Sequence, residues 1–219
     1  MQTTVIDHPL IAHKLTELRD MRTHASDFRR LSSELATLLG YEATRQIRIE
    51  PHQVQTPVGT ADGARLAAPA PLVVPILRAG IGMLDGIVGL LPQADVGFVG
   101  LARDEETLIA VTYAARLPAD LTGRQTYVLD PMLATGGSLE TVISMLISRG
   151  AASVTAICLL AAPEGLARLE AAFPANPPDP AAAGVAVHVV TASVDTQLND
   201  RGFILPGLGD AGDRLFGAI

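Results

Sequence analysis

An acidic residue at the end of an apolar run, followed closely by two adjacent glycines, is the feature of this sequence best suited to chemistry. Residues 127–139 have the sequence YVLDPMLATGGSL, in which Asp130 ends the apolar run and a helix-forming stretch follows the glycines. Adjacent glycines let backbone N–H groups point into one concavity, and a helix that begins there adds the positive end of its dipole. Thr135 and Ser138 add hydroxyl groups. The pattern predicts a site for one phosphate monoester, with Asp130 accepting hydrogen bonds from sugar hydroxyls; a βα turn without a ligand is the alternative.

Hydrophobic periodicity predicts the elements that would position this loop. Apolar residues recur at helical spacing in residues 8–22 and 26–41, with Gly40 ending the second helix. Strands are predicted at residues 45–50, 72–77, 96–101, 126–129, 154–160 and 185–190, and later helices at residues 83–91, 136–149 and 163–172. This succession indicates an α/β fold, with a mainly parallel open sheet and helices on both faces. A further strand at residues 108–114 is expected to form a β hairpin or flap.

The chain is expected to form one domain over residues 1–219, because its pattern shows no internal repeat and no boundary. The N-terminal helices would occupy residues 1–44. Residues 174–184, PANPPDPAAAG, carry four prolines and predict an inserted surface loop.

Composition limits the classes of function. The chain has 16 basic and 23 acidic residues, a net charge of −7, which argues against a general binder of nucleic acid or of an anionic membrane. Lys14 is the only lysine, so anion binding must fall to arginine and to backbone N–H groups. Cys158 lies in an apolar run and is expected to be a buried hydrophobic residue. The histidines show no metal-ligand spacing, so no protein metal site is predicted. A soluble cytoplasmic protein is expected, since residues 1–20 lack the long apolar stretch of a signal peptide.

Residues 127–139 resemble the loop that binds phosphoribosyl pyrophosphate (PRPP) in type I phosphoribosyltransferases. Pro131, directly after the acid, is typical of the uracil phosphoribosyltransferase branch of that family. Three further segments resemble this branch, and with shorter matches they extend the resemblance over most of the chain. They are residues 74–86, VPILRAGIGMLDG, residues 100–108, GLARDEETL, and residues 202–216, GFILPGLGDAGDRLF.

The resemblance implies a type I phosphoribosyltransferase fold and transfer of the phosphoribosyl group of PRPP to uracil, which gives UMP and pyrophosphate. It implies that PRPP is bound by Arg78, Arg103, Asp130, Pro131, Met132, Leu133, Ala134, Thr135, Gly136, Gly137, Ser138 and Asp210. It places uracil against Ile204, Gly209, Asp210 and Ala211, within a C-terminal base-recognition segment in residues 200–219. It also implies Mg²⁺ carried in on PRPP, GTP as an effector and a homo-oligomer of at least two subunits. No catalytic nucleophile is assigned.

Some positions depart from the family pattern, and two other functions stay open. Ala102 stands where a tyrosine is usual, residues 109–112 differ from the usual flap sequence, and Arg116 replaces a lysine. One alternative is a regulatory relative that binds messenger RNA, which the net charge disfavours. The other is a nicotinamide-dependent oxidoreductase, whose fold residues 72–104 could also begin. Asp85 occupies the third glycine position of that motif, which disfavours it.

Overall fold

One nine-stranded sheet, two two-stranded sheets and six helices make up the part of the chain that the structure describes. The computed structural model describes residues 1–103, 110–175 and 184–217, without the side chains of residues 102, 103, 110 and 111. The strands are β1 (Gln2–Val5), β2 (Ile49–Thr56), β3 (Gly59–Leu66), β4 (Leu72–Leu77), β5 (Asp95–Val96), β6 (Phe98–Arg103), β7 (Ala110–Arg116), β8 (Gln125–Leu129), β9 (Met132–Leu133), β10 (Ser153–Ala161), β11 (Ala186–Val194), β12 (Gln197–Leu198) and β13 (Ile204–Leu205). The helices are α1 (Pro9–Arg19), α2 (Ala25–Ala43), α3 (Ile81–Leu90), α4 (Gly137–Ser148), α5 (Pro163–Ala172) and α6 (Ala211–Phe216).

The strand order creates a point at which the chain changes direction across the sheet. The order is β1-β11-β10-β8-β4-β6-β7, and every pair along it is parallel except β6 with β7. After β4 the chain moves outward to β6 and β7, and it then returns to place β8 on the other side of β4. Open parallel sheets bind ligands outside the carboxyl ends of the strands at such a point. The crevice between the ends of β4 and β8 is therefore where a ligand site belongs.

Alternate residues of the central strands face opposite helical layers. On β8, Tyr127 and Leu129 pack in the core formed with α1, α2, α3 and α6, whereas Val128 packs in the core formed with α4 and α5. The neighbouring strand β10 follows the same alternation, with Ile157 on the first face and Cys158 on the second. A strand that is buried on both faces has a nearly continuous apolar sequence, as these strands do. The predicted parallel sheet with helices on both faces is confirmed.

Several elements differ from the sequence prediction; β3, β9, β12, β13 and α6 are further elements that it lacks, and three differences show how tertiary contacts decide the local structure. The four-residue strand β1 was not predicted; it is mostly exposed and depends on its parallel partner β11. Helix α2 does not end at Gly40 but continues to Ala43. The glycine lies where α2 packs closely against α3, since a Cβ there would lie 2.5 Å from Cδ1 of Ile87. The strand predicted at residues 45–50 is mostly wrong: residues 45–48 form the turn after α2, and only residues 49 and 50 are extended, at the start of an antiparallel hairpin of β2 and β3.

The predicted flap strand is present as β7, which pairs antiparallel with β6 over the positions that the structure describes. Residues 176–183 of the predicted inserted loop lie outside the described residues. No helix in residues 1–103, 110–175 or 184–217 is long and apolar enough to cross a membrane.

Candidate active site

Arg78 and Asp130 come together at the switch point between β4 and β8. Arg78 follows the last residue of β4, Asp130 follows the last residue of β8, and the two strands pair in register at Pro75 and Leu129. The loop after β4 also packs directly on the end of β8, since a Cβ on Gly80 would overlap the carbonyl oxygen of Leu129. A cation and a carboxylate from segments some fifty residues apart thus border one crevice.

Asp130 has an unusual environment for a carboxyl group. Burial raises its pKa from 3.8 to about 6, and one hydrogen bond from the N–H of Met132, at 3.4 Å, opposes this shift. Its own N–H donates to the carbonyl oxygen of Ile157 at 3.3 Å, which fixes the turn at the end of the strand. A poorly solvated carboxylate of this kind gains most from a ligand that donates hydrogen bonds, such as a pair of sugar hydroxyls.

The phosphate loop, residues 130–138, is held by the neighbouring strand and leads straight into a helix. Its residues Met132 and Leu133 form β9, which pairs with the end of β10. Gly136 has a φ of 81°, in the left-handed region, and α4 begins at Gly137. A cavity of about 30 Å³ lies within the loop, lined by Asp130, Met132, Leu133, Ala134, Thr135, Gly136, Ser138 and Leu139. The unpaired N–H groups at the start of α4 face this region, which suits a phosphate.

Helix α5 supports the phosphate loop from behind and adds a cation that sequence analysis missed. A Cβ on Gly165 would overlap the carbonyl oxygen of Ala134, so helix and loop are in close contact. A Cβ on Gly137 would lie 3.4 Å from Nη1 of Arg168, and Nε of Arg168 donates to Oε2 of Glu140 at 2.5 Å. No local spacing could reveal Arg168, because it reaches the loop from a different helix about thirty residues later.

The C-terminal segment meets Arg78 at the same crevice. Asp210 is the N-cap of α6, and its Oδ1 accepts a hydrogen bond from the N–H of Asp213 at 2.9 Å. Oδ1 of Asp213 lies 3.6 Å from Nη2 of Arg78. A Cβ on Gly212 would lie 3.1 Å from Oδ1 of Asp210 and 3.7 Å from Nη2 of Arg78, so these two side chains flank one glycine.

The recognition segment, residues 204–211, contains all four positions predicted to contact uracil. Ile204 begins β13, Gly209 lies in the following turn with a φ of 82°, and Ala211 begins α6. Ile204 and Ala211 are buried. The structure therefore brings one of the predicted uracil positions, Asp210, next to Arg78.

Two other predicted features are only partly placed. Arg103 is the last residue of β6, beside β4 at the same edge of the sheet, but its side chain lies outside the described part. Cys158 is buried, as expected, and burial first and then the nearby charge of Asp130 raise the pKa of its thiol well above the usual value. Neither its burial nor its raised pKa suits a nucleophile.

A larger cavity, of about 760 Å³, lies at the amino ends of the strands, lined by residues such as Gln2, Gln125 and Ser153. It is on the opposite edge of the sheet from Asp130, so its size does not make it the substrate site. Within the described residues no three His, Cys, Asp or Glu side chains converge on a point that could hold a metal ion.

Replacing Gly136 by alanine should weaken PRPP binding. The new Cβ would lie 2.9 Å from the carbonyl oxygen of Gly165, at a φ of 81° that costs an L-residue about 1–2 kcal/mol. The loop must therefore shift, and we expect the Kd for PRPP, measured calorimetrically, to rise at least tenfold. Gly89→Ala is the matched control, because a Cβ there meets nothing within 4 Å and α3 should gain about 1 kcal/mol. Equal PRPP affinity in both variants would argue against the loop as the phosphate site.

Comparisons with known proteins agree with this geometry. The family model described as uracil phosphoribosyltransferase matches residues 5–218. Curated relatives named uracil phosphoribosyltransferase include one from Kineococcus radiotolerans, 61% identical over the full length of both chains. A second, from Streptomyces avermitilis, is 62% identical and covers 100% of this chain and 99% of its own. The solved structure of the AQ2163 protein from Aquifex aeolicus has a TM-score of 0.90 and 40% identity, covering 99% of each chain. The chain belongs to the uracil phosphoribosyltransferase family.

Proposed function

We propose that the protein transfers the phosphoribosyl group of PRPP to uracil, forming UMP and pyrophosphate in pyrimidine salvage. The observation that carries the proposal is the grouping of Arg78, Asp130, the phosphate loop and the recognition segment around one crevice. PRPP has a matching layout, since a ribose joins one phosphate to a more anionic pyrophosphate.

PRPP would bind with each of its parts against a different element. The 5-phosphate would lie on the phosphate loop at the start of α4, with Thr135 and Ser138 hydroxyls donating to it. Asp130 would accept hydrogen bonds from the ribose hydroxyls. Arg78 would hold pyrophosphate oxygens through its planar guanidinium, and Arg103 would assist from the end of β6.

The reaction then needs placement and charge stabilisation more than a nucleophile. As the bond between the anomeric carbon and pyrophosphate breaks, its electron pair leaves with pyrophosphate and the sugar gains oxocarbenium character. Uracil N1 forms the new bond at that carbon as its N–H bond breaks, and the proton passes to the departing pyrophosphate. Arg78 stabilises the charge that develops on the leaving group, and the recognition segment holds the base against the reacting carbon.

Magnesium fits this site as a companion of PRPP. The Asp130 and Asp210 carboxylates would offer oxygen donors of the kind that Mg²⁺ prefers, beside those of the pyrophosphate. Bound there, magnesium would supply neutralisation of the leaving group's charge. The residues' own tasks are to orient PRPP and to exclude water from the crevice.

Backbone groups of the recognition segment would select the base. Ile204, Gly209 and Ala211 can present amide donors and carbonyl acceptors to the edge of uracil. Cytosine has a donor where uracil has an acceptor, so it would leave a buried group unpaired, a mismatch that can cost 10⁴-fold or more in selectivity. We expect purified protein with PRPP and magnesium to use uracil, and a large excess of cytosine, hypoxanthine or orotate to leave the rate nearly unchanged. Turnover of another base would overturn the choice of uracil and keep the PRPP site.

The resemblance extends the proposal to the rest of the protein. It supports a single domain over residues 1–219, a homo-oligomer of at least two subunits, GTP as an effector and a cytoplasmic location. Uracil and PRPP are the partners that the site itself accounts for, and no nucleic acid or membrane enters the reaction.

A further inference from the structure

If backbone groups recognise uracil, the conformation of residues 204–211 decides how well the base is bound. The inference below rests on that part of the proposed function. Gly207 has a φ of 62°, and a Cβ there would overlap the carbonyl oxygen of Ile204, so the turn folds tightly back on a predicted uracil contact. The five residues 206–210 between β13 and α6 belong to no helix or strand that would hold this shape. A misplacement of about 1 Å can cost a factor of 10² in rate.

The first constraint on this turn comes from Asp195, which follows β11 and is almost fully buried. Its Oδ2 accepts a hydrogen bond from the N–H of Gly207 at 2.8 Å. Its two carboxylate oxygens accept from Nη1 and Nη2 of Arg19 at 2.7 and 2.5 Å. Nη1 of Arg19 also donates to the carbonyl oxygen of Gly207 at 2.8 Å. Both backbone polar groups of Gly207 are thus held by one buried ion pair.

The second constraint comes from Arg214 on α6. Its Nη1 donates to the carbonyl oxygen of Leu208, the residue after Gly207, at 2.9 Å. The same guanidinium donates to the carbonyl oxygens of Leu18 at 2.7 Å and Asp20 at 2.6 Å. It also lies over the Phe28 ring, with Cζ 4.4 Å from the ring centroid. Leu208 is therefore tied to the end of α1, where the last carbonyls of a helix have no partner within it.

Both constraints use the same anchor. Arg19 is the last residue of α1, and Leu18 and Asp20 flank it. Two consecutive residues of the recognition segment, Gly207 and Leu208, are therefore fixed to one helix end. Each arginine makes three or more hydrogen bonds from a planar group, a geometry that lysine cannot reproduce.

We propose that Arg214 and Asp195 are positioning residues for the base: they hold residues 207 and 208 so that the backbone groups of Ile204 and of residues 209–211 face uracil. Neither side chain is itself a predicted PRPP contact. Of the predicted PRPP positions only Asp210 lies in this segment, and the N–H of Asp213 holds its carboxylate independently of Arg214 and Asp195. Loss of either should therefore weaken uracil use selectively.

Steady-state kinetics can separate this role from a general loss of stability. For Arg214→Met we expect the KM for uracil to rise about 10- to 100-fold, while the Kd for PRPP measured by calorimetry without uracil changes less than about threefold. Arg214→Lys should recover part of the uracil KM, because it keeps the charge and one or two donors. Asp195→Asn should show the same selective rise, since it removes the charge that pairs with Arg19.

Arg29→Met is the matched control. Arg29 on α2 also donates to a carbonyl of α6, that of Leu215 at 2.7 Å, which lies outside the recognition segment. The Arg29→Met substitution should lower the melting temperature about as much as Arg214→Met does, and it should leave the uracil KM within about threefold of wild type. The proposal would be overturned if Arg29→Met raised the uracil KM as much as Arg214→Met does. It would also be overturned if the uracil KM stayed unchanged in both Arg214→Met and Asp195→Asn.

Hydrogen exchange keeps the inference separate from the proposed function. In Arg214→Met the amides of residues 207–211 should exchange at least tenfold faster than in Arg29→Met, with the phosphate loop unchanged. This result would support the anchoring even if wild type used a base other than uracil. Equal exchange of residues 207–211 in the two variants would overturn it.

Discussion

Asp130→Asn should lose most of its activity and yet unfold less readily than the wild type. The substitution removes the charged acceptor for two ribose hydroxyls, at about 1.5–3 kcal/mol for each charged hydrogen bond. We expect kcat/KM for PRPP to fall about 10²- to 10³-fold. It also removes a carboxyl group that is poorly solvated in the folded protein, where burial raises its pKa to about 6. At pH 8 the free energy of unfolding should therefore rise by up to about 3 kcal/mol.

The pH dependence of the same residue follows from the sign of its shift. The folded-state pKa of about 6 lies above the ordinary value of 3.8, so the folded protein holds this proton more tightly than the unfolded chain. The stabilisation that protonated Asp130 contributes to the fold is therefore greatest below about pH 4 and is lost as the pH rises through 6. Activity runs the other way, since kcat/KM for PRPP should fall about tenfold per pH unit below 6.

Thermal melts and initial rates from pH 5 to 8 measure both effects of Asp130→Asn. Asp7→Asn is the control, because Asp7 is exposed and the change in net charge is the same. Its melting temperature and rates should stay close to wild type. Wild-type kcat/KM in Asp130→Asn would refute the ribose role, and an unchanged melting temperature at pH 8 would refute the cost of burying this carboxylate.

Arg78→Ala is expected to act on the chemical step rather than on the fold. Arg78 is partly exposed and makes one long ion pair, 3.6 Å to Asp213, so its loss should cost little stability. Its proposed contact with pyrophosphate strengthens as charge develops on the leaving group. Removing such a donor typically costs 10²- to 10³-fold in kcat, and Arg78→Lys should recover only part of it because lysine cannot bind two oxygens in one plane.

Single-turnover rates at saturating PRPP and uracil measure this effect without interference from product release. Arg30→Ala serves as the control, since Arg30 pairs only with Asp27 and Glu34 on the exposed surface of α2. It should change the rate less than twofold. If Arg78→Ala raised the KM for PRPP and left kcat unchanged, Arg78 would bind PRPP in the ground state and would not stabilise departing pyrophosphate.

Contiguous features of the site could be predicted from sequence, because local chemistry determines them. The apolar strand, Asp130, the glycine pair and the start of α4 lie within thirteen residues, and their spacing predicts the strand, loop and helix that are observed. Their task in binding phosphate stays a prediction. Parallel strands were predictable for a related reason, since burial on both faces leaves near-continuous apolar runs in β4, β8 and β10.

The residues that hold the recognition segment could not be found in this way. Arg19 and Asp195 are separated by 176 positions, and Arg214 and Leu18 by 196. Several of their partners are backbone groups, those of Leu18, Asp20, Gly207 and Leu208, which leave no trace in residue type. The short strand β1 is a similar case, because its four mostly exposed residues form a strand beside β11.

The most direct test is the stoichiometry of the reaction. Purified protein is given PRPP, magnesium and radiolabelled uracil, and UMP and pyrophosphate are both measured over time. The proposed mechanism predicts one pyrophosphate for each UMP, with no UMP when PRPP is replaced by ribose 5-phosphate, which lacks the leaving group. Pyrophosphate released without UMP, or PRPP bound with no turnover of uracil, would contradict transfer to uracil at this site.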